Sequence, residues 1–158
     1  MVLPKMLKWL GLEMIAVIGI GAYILIDASD VYRWWVGGTH FSTPTSACNL
    51  HEERCSATLK DGSIVTFEIV PKTIPLMKPL HFIVTTSHEL SAVDLKLFAT
   101  NMNMGFHAFS LKPTQKGVYE GEGTLPTCVV GDMIWQANVI LNDTHESLGA
   151  TFTFKTDR

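Results

Sequence analysis

The chain contains little charge, and its positive charge is scattered. Asp, Glu, Lys and Arg make up only 17% of its 158 residues, and the formal net charge is -3. A protein that binds nucleic acid needs lysine and arginine clustered on one face, where they meet the phosphates. Here these residues are spread along the sequence. We therefore predict that nucleic acid is not a partner.

Familiar catalytic motifs are also missing. The sequence has no nucleophile elbow, no paired histidines at helical metal-binding spacing, no phosphate-binding loop and no Cys-x-x-Cys pair. An enzyme site needs a nucleophile, a base or cofactor-binding groups in a defined arrangement. We therefore predict that the chain is not an enzyme and carries no organic cofactor.

The longest predominantly apolar segment lies near the N-terminus, at residues 7–26. At about 1.5 Å per helical residue, a run of this length spans the roughly 30 Å hydrocarbon core of a bilayer. Lys5 and Lys8 precede the apolar core and Asp27 and Asp30 follow it, so the positive-inside rule places the N-terminus in the cytoplasm. Residues 1–28 are thus predicted to form a cytoplasmic N-terminus and a single-pass transmembrane anchor.

A cleaved signal peptide is the competing interpretation of this segment, because it also has a basic start and an apolar core, followed here by Ala28-Ser29. Cleavage favours a small residue two positions before Ala28, where this chain has Ile26, and Glu13 interrupts the apolar region. We therefore favour the anchor. Residues 29–47 are then predicted to be a linker with interfacial aromatics, and residues 48–158 an extracytoplasmic domain.

From Thr39 onward the pattern changes to alternation, in which apolar residues occupy every second position. This period is typical of half-buried strands. The clearest runs are 65–69, 80–84, 93–99, 133–141 and 148–154. Turn-forming residues separate the runs, and no helical window follows the anchor. The sequence therefore predicts a mainly β protein, an immunoglobulin-like β-sandwich preceded by one transmembrane helix.

The chain has three cysteines, and an extracytoplasmic location would allow them to be oxidised. Cys48 and Cys55 bracket a short polar loop, so a disulfide between them would staple the linker to the domain. The other pairings, which involve Cys128, stay open because sequence cannot choose among them. If Cys128 is unpaired, it is expected to be a small buried apolar residue.

The stretch NMNMGFH follows the run at 93–99 and is predicted to be a loop or a bulged strand. In an extended chain Met102 and Met104 point to the same side, and Gly105 permits the bend that brings His107 round to them. Thioethers are soft, neutral ligands that prefer Cu(I), and they suit copper held outside the cytoplasm. The stretch therefore predicts a Cu(I) site.

Met133 or Cys128 would supply the fourth ligand of this site if their segment lies alongside the loop. A competing interpretation needs no metal, because methionine is also a flexible filler of hydrophobic cores. In that case Met102 and Met104 would pack beneath the loop, and His107 would be a surface or hydrogen-bonded residue.

The second half of the domain contains a set of short motifs in a fixed order: Met104-Gly105, Leu111, Gly117-Val118-Tyr119-Glu120-Gly121 and Gly131-Asp132-Met133-Ile134-Trp135. This order resembles the periplasmic β-sandwiches of the FixH and YtkA-like type. FixH-type proteins have one N-terminal anchor and are implicated in the assembly of haem-copper cytochrome oxidases. The resemblance implies an accessory protein that is anchored in a bacterial inner membrane, with its C-terminal domain in the periplasm. Its partner would be a respiratory oxidase subunit or another membrane protein. A metal-free interaction or structural subunit is the alternative function.

Overall fold

The computed structural model describes residues 13–18, 20–21, 39–128, 131–142 and 147–156. Residues 13–18 and 20–21 are helical. Across these described ranges, no helix is both long enough and apolar enough to cross a membrane. Much of the predicted anchor, and residues 29–38 of the predicted linker, lie outside the described residues.

The described part of residues Gly38–Arg158, which form one compact unit, contains nine strands. They are β1 (His40–Ser42), β2 (Cys55–Thr58), β3 (Ile64–Val70), β4 (Leu80–Thr86), β5 (Ala92–Ala99), β6 (His107–Gln115), β7 (Val118–Gly123), β8 (Met133–Asn142) and β9 (Ser147–Thr156). Their order is β1-β9-β8-β5-β6-β7-β4-β3-β2. The prediction of a mainly β protein is confirmed.

Strand β6 belongs to both halves of this sheet. Its first part pairs with β5 and its last part pairs with β7, and the register shifts between Pro113 and Gln115. The two halves face each other, because the rings of Phe67 on β3 and Phe152 on β9 lie 5.4 Å apart between centroids. The hydrophobic core therefore lies between the halves.

The period of two in the sequence produces this core, because alternate side chains of each strand point inward. Val65, Phe67 and Ile69 of β3 are all buried, as are the matching positions of β4 and β5. Strand β8 departs from the simple alternation, since Asn138 on its other face is also buried. Its side-chain oxygen accepts hydrogen bonds from Gln136 and Thr151, so its burial leaves no acceptor unpaired.

Strand β1 lies inside the segment predicted to be a linker, residues 29–47. It pairs in parallel with β9, and the Phe41 ring packs where a side chain at position 149 would project. A Cβ built on Gly149 would meet that ring at 2.6 Å, so only glycine leaves room for it. The compact unit begins at Gly38 rather than at residue 48, because this pairing brings the described end of the linker into the sheet.

The predicted disulfide between Cys48 and Cys55 is confirmed, with a Cα–Cα distance of 5.7 Å. The loop that it closes carries His51. The Nδ1 atom of His51 lies 3.0 Å from the carbonyl oxygen of Lys72, just after β3, and Nε2 lies 2.6 Å from that of Lys155 on β9. The loop is therefore joined to both halves of the sheet.

Candidate metal centre

One end of the sheet collects the loops that follow β3, β5 and β7. Antiparallel pairing places the ends of these strands beside the starts of β4, β6 and β8. The disulfide loop reaches the same end through its contacts with Lys72 and Lys155. We call this region the sulfur end; it comprises residues 48–54, 71–79, 100–106, 124–128 and 131–132, with the strand residues that adjoin them.

Every methionine and cysteine after residue 39 lies at the sulfur end. These seven residues are Cys48, Cys55, Met77, Met102, Met104, Cys128 and Met133. The described turns and loops at the opposite end are residues 59–63, 87–91 and 116–117, which contain neither residue type. The pairing of distant strands therefore places at one end of the sheet seven sulfur-containing residues that are widely separated in the sequence.

Hydrogen bonds hold the loop at 100–106 against the start of β8. The backbone N–H of Thr100 donates to the carbonyl oxygen of Ile134 at 2.8 Å. The Asn101 side chain donates to the carbonyl oxygen of Asp132 at 2.8 Å and accepts from the N–H of Ile134 at 3.0 Å. The loop that carries the two methionines is thus fixed beside the segment that carries Asp132 and Met133.

Met102 and Met104 are half-buried and pack against the hydrophobic core, whereas Asn101 and Asn103 are exposed. Both thioethers therefore lie on the inner side of the loop. Gly105, which follows them, has a φ of +74°, a left-handed conformation that glycine adopts without strain. The chain turns there before β6 begins at His107.

His107 is half-buried, and its ring lies edge-on to the Trp135 indole with 6.1 Å between centroids. Its Nε2 atom is buried and has no hydrogen-bond partner among the described residues. Leaving a buried polar group unpaired costs about 1–3 kcal/mol. Such a group in a native structure calls for an explanation, and a bound ligand at Nε2 would supply one.

The two residues predicted as a fourth ligand differ in exposure. Cys128 is a free cysteine that is half-buried against the core. Met133 begins β8 and is 0% exposed, so its thioether belongs to the core. Cys128 is therefore the more accessible of the two.

Within the described ranges, no group of three or more His, Cys, Asp or Glu residues could hold a metal ion. Methionine is not among these four residue types, although its thioether is a soft ligand that suits Cu(I). The candidate set described above combines one imidazole with two thioethers.

Met77 is a sulfur ligand candidate that sequence reasoning missed. Its segment contains Pro71, Pro75 and Pro79, which argue against a central strand there, and nothing local links it to NMNMGFH. In the structure its N–H donates to the carbonyl oxygen of Leu125 at 2.9 Å, which ties it to the segment that leads to Cys128. The one local signal was a methionine outside any alternating run.

No protein-family model matches this sequence, and a search of curated proteins finds no match. Among solved structures, the chain is similar to a carbohydrate-binding module described as "Crystal structure of Br derivative BhCBM56". The identity is 13% and the TM-score is 0.42, over 60% of this chain and 91% of the other. A similarity at this level says nothing about what the present chain binds.

Proposed function

We propose that this chain is a membrane-anchored periplasmic protein that handles Cu(I) during the assembly of a respiratory haem-copper oxidase. The observation that carries the proposal is the buried Nε2 atom of His107, which has no hydrogen-bond partner among the described residues. His107 begins β6, directly after the loop that holds Met102 and Met104 on its inner side.

The donor types of this set suit Cu(I). Thioether sulfur and neutral imidazole nitrogen are both uncharged, and soft sulfur donors select Cu(I) over harder ions. A thioether has no proton to lose before it can bind a metal ion, so His107 is the one member of the set that must be in its neutral form. A bond from Nε2 to the ion would also satisfy a buried nitrogen that has no partner in the described part of the chain.

Reversible binding is what a copper carrier needs. The three proposed ligands Met102, Met104 and His107 are neutral, so none of them is a thiolate, and all three side chains are half-buried rather than enclosed in the core. The N-terminal anchor would keep the domain at the membrane beside its oxidase subunit partner. The proposed role is therefore binding and delivery rather than catalysis.

The fold proposed for the domain is an immunoglobulin-like sandwich. The two facing halves and the hairpin connections between neighbouring strands support it. This architecture hosts many functions, so the proposed copper role depends on the residues of the sulfur end.

A metal-free interaction or structural subunit is the second candidate, and one observation favours it. Met102 and Met104 both pack against the hydrophobic core, as filler residues would. In this alternative the anchor and the sulfur end dock onto a membrane partner, and leucine would serve as well as methionine at both positions.

The test is a Cu(I) titration of the full chain in detergent micelles, against the chromogenic chelator bicinchoninate. Wild-type protein should compete for copper stoichiometrically, and M102L/M104L and H107Q should each lose this competition. These changes nearly conserve volume, so folding should be retained. H88Q, an exposed histidine at the opposite end, is the matched control. Absence of competition by the wild type would refute the copper proposal.

Complementation separates the two functions in cells. A strain that lacks the gene should assemble less haem-copper oxidase, measured by its haem absorbance in isolated membranes. The copper proposal expects wild type and H88Q to restore assembly and M102L/M104L to fail. Full restoration by M102L/M104L would favour the metal-free subunit instead.

A further inference from the structure

Met77 is the most exposed large apolar residue among the described part of the β domain, with 66% of its surface accessible. Exposing a side chain of this size to water forfeits the free energy of its burial. Its loop is nevertheless well anchored, because Ile74 is buried in the core and the Met77 N–H donates to Leu125. The exposure of Met77 is therefore a property of an ordered loop.

The backbone of this loop is strained in a way that supports a specific role. Ile74 has a φ of +43° and Met77 a φ of +57°, and this left-handed region is unfavourable for both residue types. Residues held in such conformations cluster at ligand-binding and functional sites. Here the strained turn holds the buried Ile74 and the exposed Met77 three positions apart in one loop.

The four methionines of the sulfur end differ in how much of each side chain is exposed to solvent. Met77 is exposed, Met102 and Met104 are half-buried, and Met133 is fully buried. Met77 is tied through Leu125 to the segment that leads to Cys128. Among these four methionines, Met77 is therefore the one that a soft metal ion arriving from solution can reach most readily.

We propose that Met77 is a capture ligand, which takes Cu(I) from or gives it to a soft-ligand copper site on a partner protein. The inference rests on the proposed function and adds the residue through which copper enters and leaves. In the exchange, a bond from the ion to the Met77 sulfur forms as a bond to the partner's ligand breaks. Copper stays Cu(I), and because the thioether is neutral, no electron or proton moves.

The experiment compares equilibrium binding with transfer rate in the full chain in detergent micelles. Cu(I)-loaded protein is mixed with excess bicinchoninate in a stopped-flow instrument, and formation of the coloured complex reports transfer. M77L should slow transfer by about tenfold, which corresponds to about 1.4 kcal/mol in the activation barrier. The equilibrium affinity should change much less. Met77 is exposed, so leucine there should not disturb folding.

The matched control moves the thioether instead of removing it. I64M adds an exposed thioether at the opposite end, where Ile64 begins β3 and is 51% exposed. I64M alone should transfer copper at the wild-type rate. M77L/I64M should transfer it at the same slow rate as M77L. A rate restored by I64M in the M77L background would overturn the proposal, because position would then not matter.

The outcomes separate this inference from the proposed function. Stoichiometric binding with unchanged transfer in M77L overturns the capture role and leaves the proposed copper function standing. Loss of binding in M77L as complete as in M102L/M104L also overturns it, because Met77 would then be a permanent ligand. Absence of binding in the wild type removes both proposals.

Discussion

Replacing Tyr119 with phenylalanine tests whether one buried hydroxyl stabilises the fold by joining strand β7 to the connection between β4 and β5. The Tyr119 hydroxyl on β7 accepts a hydrogen bond from the N–H of Leu90 at 2.6 Å and donates to the carbonyl oxygen of Leu90 at 2.9 Å. Tyr119 is 2% exposed, and Leu90 lies in the connection between β4 and β5. The hydroxyl thus satisfies both backbone groups of one residue.

The expected cost follows from what the change leaves behind. The phenyl ring remains, so no large cavity forms, but two backbone groups of Leu90 lose their partner. Each unsatisfied buried group costs about 1–3 kcal/mol, and the half-buried position of Leu90 favours the low end. We expect Y119F to lower the free energy of unfolding by about 2 kcal/mol, or roughly 8 °C in Tm for a domain of this size.

Urea unfolding followed by fluorescence and circular dichroism measures this free energy. The matched control is T114V, which removes an exposed hydroxyl whose hydrogen bond to Glu120 is 3.1 Å long. This control should cost under about 0.5 kcal/mol. If Y119F costs no more than T114V at the same m-value, the two Leu90 bonds do not stabilise the fold, and the reasoning fails.

Two further predictions concern the disulfide and acid stability. Cys48 and Cys55 are separated by seven positions, so C48S/C55S should lower stability by about 2.5 kcal/mol through loop-closure entropy; a loss in urea unfolding no larger than that of C128S would contradict this. Hydrogen bonds from the Ser63 hydroxyl and then its N–H lower the pKa of Asp61. The carboxylate therefore stabilises the fold above its unfolded pKa, and the advantage of wild type over D61N should shrink below about pH 4. A constant difference between pH 3 and 6 would refute that assignment.

Local sequence patterns were enough for the strands whose inward residues alternate. The runs at 65–69 and 93–99 predicted β3 and β5, because the period of two is a property of neighbouring residues. The disulfide could also be predicted from the sequence, since its two cysteines are close in the chain. Strand β1 was missed because it has only three residues, and room for its Phe41 depends on Gly149, far along the sequence.

The candidate site divides in the same way. Sequence alone determined that Met102, Met104 and His107 share one short loop region and offer soft, neutral donors. Only the tertiary structure decided that Nε2 of His107 is buried without a partner in the described chain, and that Met77 lies at the same end. The donor chemistry of a side chain is set by its residue type, whereas its neighbours and burial depend on the register of strands that are distant in sequence.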